Sequence, residues 1–374
     1  LTAVRSAVPL ALTALVSGLL ALVAGAGPAS SAVSSAASDL SKPPPVRHVF
    51  VINLENKGYD ETFGPDSPAP YLSRTLRGKG QLLTQYYGTA HNSLPNYVAQ
   101  ISGQGPNAQT QGDCQVYSDF TQVGTVAPQQ AVGNGCVYPK SVRTVADQLH
   151  DHGLTWRGYM EDMGTACRHP AANAPDDTQQ AEVGDQYAAR HNPFVYFTSL
   201  TGTSQCRRND VGLRYLSRDL RSTSTTRNLS YITPNLCNDA HDSPCVDGRP
   251  GGLATADAWL KRWVPKILAS PAYRRNGLLV VTFDEADTQD TDGAAACCGE
   301  GPAPNAPQPG IYGPGGGRTG TVLVSPYLAA HSWNNTGYNH YSLLRTIENL
   351  FGLGTLGYAA DARGFGYDVW GAGS

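Results

Sequence analysis

Charge is scarce in this chain. Only 15% of its 374 residues are Asp, Glu, Lys or Arg, and 27 basic against 30 acidic residues leave a net charge of −3. That tally predicts no polybasic surface and excludes a nucleic-acid scaffold, because binding to a phosphate backbone rests on gathered Lys and Arg. A G-x-S-x-G nucleophile elbow is missing, which argues against an ordinary serine esterase. A Gly-rich loop ending in Gly-Lys-Ser/Thr is missing too, which argues against a nucleotide-driven phosphotransferase. No C-x-x-C pair occurs among the cysteines, so a metal-thiolate cluster is disfavoured. No internal repeat or sharp change of composition divides the chain.

Loops are plentiful, with 41 Gly and 26 Pro. The irregular stretches fall at 104–139, 286–319 and 352–374 and read as loops within one domain. At the N-terminus, Arg5 precedes an apolar run from Val8 to Val23 and then small residues, the layout of an export signal. The expected organisation is a signal peptide over 1–30, a Ser/Pro-rich spacer over 31–46, and one domain over 47–374, in a protein secreted from a bacterium. A retained membrane anchor is the rival reading. Export fits the eight cysteines, whose default state outside the cell is disulfide-bonded. Local spacing suggests Cys114 with Cys136 and Cys237 with Cys245, and adjacent Cys297 and Cys298 are expected to bond to different partners.

Apolar runs rich in β-branched and aromatic residues predict strands at 48–56, 154–160, 193–200, 229–235, 276–287 and 318–328. Helical spacing predicts helices at 141–152, 210–221, 254–270 and 340–351. Strands alternating with helices imply an α/β fold with a mainly parallel central sheet covered on both faces. Sites in such sheets lie beyond the carboxyl ends of the strands.

Polar clusters fall at those ends. Glu55 and Asn56 close the first apolar run and read as either a polar loop start or crevice ligands. Asp284 and Glu285 follow LLVVTF, where two adjacent carboxylates repel unless a cation or donor compensates. Asp287 either joins them or caps the next loop. Asp239, His241 and Asp242 form a charged turn or a ligand group, whose oxygen and imidazole atoms suit zinc, manganese or iron. His340 precedes a strongly apolar helix and His91 lies near Ser93, so each is a structural histidine or a site residue. Ser93, ahead of Pro95, is a helix cap or a metal-activated nucleophile supported by nearby helix amides.

The blocks HVFVINLENKGYDETFG, TAHNSLPNYVAQISG, YITPNLCNDAHD, ADAWL, GLLVVTFDEAD and NHYSLLRTIENLFGL occur in this order between about 48 and 352. Together they resemble the metal-dependent phosphoesterase family of the alkaline phosphatase superfamily, and within it the secreted mycobacterial acid phosphatases that act on phosphoinositides. The resemblance implies Ser93 as nucleophile and Glu55, Asn56, Asp239, His241, Asp284, Glu285 and His340 around one or two divalent metal ions. Zinc, manganese, iron, calcium and magnesium stay open as their identity. It implies contacts to a phosphorylated small molecule or phosphoinositide from His91 and Asn96. The chain departs from the family pattern in His-Asn-Ser, where His-Pro-Ser is familiar, and in Leu-Glu-Asn, where Glu-Glu-Asn is. Ser93 is followed by Leu-Pro-Asn, which lacks the arginine of a sulfatase motif. Phospholipase C or another phosphodiesterase is the enzymatic alternative, and a secreted ligand-binding envelope protein, using some of the 19 Tyr as its surface, is the non-enzymatic one.

Overall fold

The computed structural model describes residues 44–299 and 301–371. The export signal expected at 1–30 and residues 31–43 of the spacer lie outside them. Twelve strands occur in chain order: β1 (His48–Leu54), β2 (Gln81–Leu83), β3 (Tyr86–Tyr87), β4 (Thr121–Val126), β5 (Gln130–Asn134), β6 (Trp156–Met160), β7 (Asp210–Gly212), β8 (Leu229–Thr233), β9 (Gly277–Phe283), β10 (Thr321–Val324), β11 (Ser332–Asn334) and β12 (Tyr338–Asn339).

Eight of them form one sheet in the order β11-β2-β10-β9-β1-β8-β6-β7. Strands β9, β1, β8, β6 and β7 run parallel, β2 and β11 are parallel to each other, and β10 alone is antiparallel to both its neighbours. The architecture is therefore the mainly parallel α/β sheet expected from the sequence.

Why these strands form is plain in β1 and β9, where all seven residues are buried. Val49 and Val51 enter one core with Leu278 and Val280. Phe50, Ile52 and Leu54 enter the other with Leu279, Val281 and Phe283. A strand buried on both faces reads as an unbroken apolar run, and the alternation of Cβ directions shares its side chains between two cores. Helices Ser93–Ser102, Val145–Asp151 and His340–Phe351 cover the first face. Helix Gly252–Ala269 covers the second through Leu253, Ala256, Leu260, Val264 and Ile267, a spacing that keeps one stripe inward. Asn339 starts the helix His340–Phe351 by accepting the Ser342 N–H at 2.9 Å, so the cap is Asn339, and His340 is free to face inward.

Three expectations are corrected. Residues 193–200 form no strand: Pro193–Tyr196 is a 3-10 turn and Thr198–Thr201 one helical turn. Their aromatic enrichment serves stacking instead, with Phe194 on Trp156 at 4.7 Å and Phe197 on Tyr138 at 5.1 Å between ring centroids. Residues 210–221 form no continuous helix, because Asp210–Gly212 pairs with β6 as the edge strand and only short turns come after it. Cys297 and Cys298 bond to each other; Cys167 and Cys206, with Cα atoms 5.3 Å apart, take one another and leave the adjacent pair no other thiol. Cys114–Cys136 and Cys237–Cys245 pair as expected. The stretch 104–139 also contains the hairpin β4–β5. Among the described residues no helix is long and apolar enough to cross a membrane.

Candidate active site

The parallel strands β9, β1 and β8 end at the same edge, and their register sets Leu54 opposite Phe283. The ladder continues one step past the strands: Asp284 N–H donates to Leu54 O at 3.0 Å and Glu55 N–H to Asp239 O at 2.8 Å. Glu55, Asp284 and Asp239 are therefore brought together by backbone pairing, and all three are fully buried. Asn56 turns the chain away with φ of 51°, a conformation asparagine tolerates better than most residues. Its backbone N–H donates to Asp284 Oδ1 at 3.2 Å. Its side-chain amide, oriented with nitrogen toward the acids, donates to Glu55 Oε2 and Asp284 Oδ1, each at 3.2 Å.

Ser93 is the first residue of helix Ser93–Ser102, and its hydroxyl donates to Glu55 Oε2 at 2.8 Å. It does not cap the helix; Asn92 holds that position. The helix is buried along its whole length, so each polar side chain on it needs a partner. Tyr97 OH donates to Glu55 Oε1. Gln100 donates to Asn53 Oδ1 at 3.1 Å and accepts from Tyr231 OH at 2.7 Å. Asn96 holds the turn before Ser93: its Oδ1 accepts from the N–H groups of Thr89 (2.8 Å) and Ala90 (3.0 Å), and its Nδ2 donates to Ala90 O (2.8 Å) and Asn92 O (2.9 Å). The helix N-terminus is partly spoken for, since Leu94 N–H donates to Asp113 Oδ1 at 2.9 Å and Pro95 has no N–H.

His191, which carries no distinguishing signal in the sequence, completes the cluster. Its Nε2 lies 3.3 Å from Glu55 Oε2 and its Nδ1 lies 3.2 Å from Asp239 Oδ2, with the ring stacked on Tyr97 at 5.4 Å. One ligand atom each from Glu55, His191 and Asp239 falls within 4.8 Å of the others. His191 begins the stretch HNPFVYF, whose apolar character draws attention to the aromatic residues and away from the imidazole. Only the return of the 3-10 turns Ala189–His191 and Pro193–Tyr196 against helix Ser93–Ser102 reveals its place.

The electrostatics are set by burial. Desolvation first, then repulsion from Asp284 and Asp239, pushes the Glu55 carboxyl well above the usual range. Burial likewise raises Asp239, and lifts Asp284 to about 8. Burial, with Arg190 and His241 nearby, holds the His191 imidazole well below its ordinary value. Three buried acids beside a neutral imidazole are short of positive charge, and Asp284 Oδ2 has no hydrogen-bond partner. Oxygen and imidazole donors with an unsatisfied carboxylate oxygen fit a divalent cation.

The remaining expected residues stand around this core. His241 N–H donates to Asp239 Oδ1 at 2.8 Å, while its ring meets Asp242 Oδ1 at 2.8 Å and Arg190 Nη2 at 3.3 Å on the rim. Arg190, another residue missed from sequence, is buried and lies 3.9 Å from Asp113. Glu285 turns away from Asp284 to pair with His91 Nδ1, whose Nε2 meets Gly293 O at 2.6 Å. His340 lies behind Asp284: its Nε2 donates to the Asp284 carbonyl at 2.5 Å, and its Nδ1 accepts from Tyr86 OH (3.1 Å) and Gln100 Nε2 (3.2 Å). Burial brings this imidazole down to about 4, so it is neutral at ordinary pH. Glu55, Asn56, Ser93, Asp239 and Asp284 thus meet directly, whereas His91, Asn96, Glu285 and His340 brace the segments that carry them.

The chain belongs to the Phosphoesterase family, whose model matches residues 68–354. Among curated relatives, a phosphatidylinositol-3-phosphatase of Mycobacterium tuberculosis is 27% identical over 96% of this chain and 92% of its own length. A phosphate-repressible acid phosphatase of Penicillium chrysogenum is 26% identical over 91% of this chain and 70% of its own length. Among solved structures, a putative sulfatase from Bacteroides thetaiotaomicron shares the fold, with a TM-score of 0.50, 11% identity, and coverage of 88% of this chain and 75% of that one.

Proposed function

We propose that this protein is a secreted hydrolase of phosphate monoesters that uses Ser93 as its nucleophile, with phosphoinositides among its substrates. The observation that carries the reading is the Ser93 hydroxyl held 2.8 Å from Glu55 Oε2 over a buried cluster of acids and one imidazole. Curated relatives named as acid phosphatases and as a phosphatidylinositol-3-phosphatase support the class of reaction.

Glu55, Asp239, Asp284 and His191 would hold a divalent cation, with Asn56 and His241 at its margin. Such a cation supplies positive charge that neutralises the acids and favours the ionised form of a nearby hydroxyl. Asn96 fixes the turn that presents Ser93, and the Glu55 hydrogen bond aims Oγ and gives its proton a path away from the line of attack. Oγ forms a bond to phosphorus as the bond from phosphorus to the ester oxygen breaks, and the alcohol leaves with a proton. Water then attacks the phosphoserine, releasing inorganic phosphate and restoring the hydroxyl. The imidazole of His191, kept neutral by burial, would offer the lone pair of one ring nitrogen to the cation while the N–H of the other donates to an acid of the cluster.

Residues 47–374 are read as one catalytic domain. Four disulfides suit an extracellular setting. Turnover of p-nitrophenyl phosphate against its bis-ester tests the reading. Faster cleavage of the monoester is expected, with a loss of roughly 10⁴-fold or more in Ser93→Ala. Preference for the bis-ester would place the protein among phosphodiesterases, and full activity without the Ser93 hydroxyl would remove it as nucleophile.

A further inference from the structure

The near-zero charge tally conceals a local imbalance. Between residues 207 and 227 the chain carries Arg207, Arg208, Arg214, Arg218, Arg221 and Arg227 against only Asp210 and Asp219. Asp210 is fully buried and bound by Asn192 Nδ2 at 2.8 Å. Asp219 is shared, accepting from Arg157 Nη1 at 2.5 Å and Arg218 Nε at 3.0 Å. Arg207, Arg208 and Arg214 meet no carboxylate among the described residues, and all three are exposed.

These cations are gathered around one concavity, lined by Arg157, Arg207, Arg208, Arg214 and Arg218. The arrangement is held in place. Arg157 is only 8% exposed, donates from Nη2 to Arg208 O at 3.1 Å, and has an Nε with no protein acceptor. The guanidinium carbons of Arg214 and Arg218 lie over the Tyr215 ring, 4.8 and 5.0 Å from its centroid. A neighbouring concavity shares Gly164 and Arg214, adds Arg262 and Lys266, and reaches Glu161 and Asp162 beyond the end of β6. Glu161 in turn accepts from Asn238 Nδ2 at 2.9 Å, next to Asp239 of the catalytic cluster. With strands spaced about 4.8 Å apart, β6 stands about 10 Å to the side of β1.

Asp219 compensates Arg157 and Arg218, which leaves Arg207, Arg208 and Arg214 as like charges around the same hollow that an anion would draw together. Every cation lining the first concavity is arginine and none is lysine, and the guanidinium fork matches two oxygens of a phosphate where an ammonium offers a point charge. We infer that the hollow around Arg157, Arg207, Arg208, Arg214 and Arg218 is a second anion site that takes a phosphate group, free or carried on a lipid headgroup, apart from the Ser93 centre.

The test uses the full chain and two probes: inorganic phosphate in equilibrium dialysis, and phosphatidylcholine vesicles with or without phosphatidylinositol phosphate in sedimentation. In the triple variant Arg207→Gln, Arg208→Gln, Arg214→Gln, binding to one probe should weaken by about tenfold or more, while its kcat on p-nitrophenyl phosphate stays within about twofold of wild type. Weakened phosphate binding assigns the site to a soluble anion; weakened binding only to the phosphoinositide vesicles assigns it to a headgroup. Ser93→Ala should bind both probes as wild type does, which separates this site from the catalytic reading. The corresponding triple lysine variant should recover part of the affinity. Unchanged binding of both probes in the glutamine variant would overturn the site, and complete rescue by lysine would overturn recognition by the guanidinium fork.

Discussion

Tyr97 separates shaping the site from acting in it. Its ring stacks on His191 and its hydroxyl donates to Glu55 Oε1, so from a fully buried position it fixes two members of the cluster. Tyr97→Phe keeps the stacking and removes the hydrogen bond. If Glu55 and His191 hold a cation, metal affinity or activity should fall about 10- to 100-fold, the usual cost of losing an outer partner of a ligand. A chelator titration measures it, and a wild-type midpoint in the variant would show that Glu55 needs no such restraint. At this scale the sequence exposes Glu55 and Asp284, because acids directly after fully apolar strands are an anomaly that solvation alone does not explain. It does not expose His191, whose neighbours Asn192 and Pro193 look like any loop and whose place in the cluster arises from contacts with Tyr97 and Glu55 far away in the chain. Nor does it divide Asp284 from Glu285, since adjacent residues leave a strand end in opposite directions and only one can face the cluster.

Among the elements, helix Ser93–Ser102 does most to set the site, and its far end is as constrained as its first residue. Gly103 terminates it with φ of +67°, and a Cβ there would stand 2.2 Å from Leu356 O. Gly103→Ala should therefore destabilise the fold by about 1–3 kcal/mol or more through a left-handed conformation and a backbone clash. Thermal melting tests this, with an unchanged midpoint as the contrary result. The strands β1 and β9 are legible because burial on both faces leaves an unbroken apolar run, and the helix His340–Phe351 because its apolar residues recur at helical spacing. The run at 193–200 misleads because aromatic side chains are enriched equally in strands and in stacked clusters, and composition does not distinguish a ladder from packing. The edge strand β7 is only three residues long, too short to leave any period.

For the molecule as a whole, the gathered acids tie stability to charge. If a divalent cation neutralises Glu55, Asp239 and Asp284, prolonged chelation should lower both activity and melting temperature, and adding back a divalent ion should restore both; insensitivity of both would count against metal chemistry. A second pH effect lies away from the site. Glu348 is fully buried, accepts the Leu356 N–H at 2.8 Å, and is pushed by burial from its ordinary 4.5 up to about 8. The folded state thus holds a proton that the unfolded chain releases. The associated stability is complete below about pH 4.5 and is lost as pH rises through about 8. Glu348→Gln should flatten this part of the profile, leaving stability near pH 4.5 similar and raising it near pH 8 by about 1–3 kcal/mol; parallel denaturation profiles would contradict it. The central claim, that Ser93 carries the phosphoryl group, is tested most directly by acid quenching during turnover of a phosphate monoester, followed by mass spectrometry of the peptide containing Ser93. The expected result is one added phosphoryl group on Ser93, absent from Ser93→Ala; undiminished turnover by that variant, with no labelled serine in the wild type, would contradict the account.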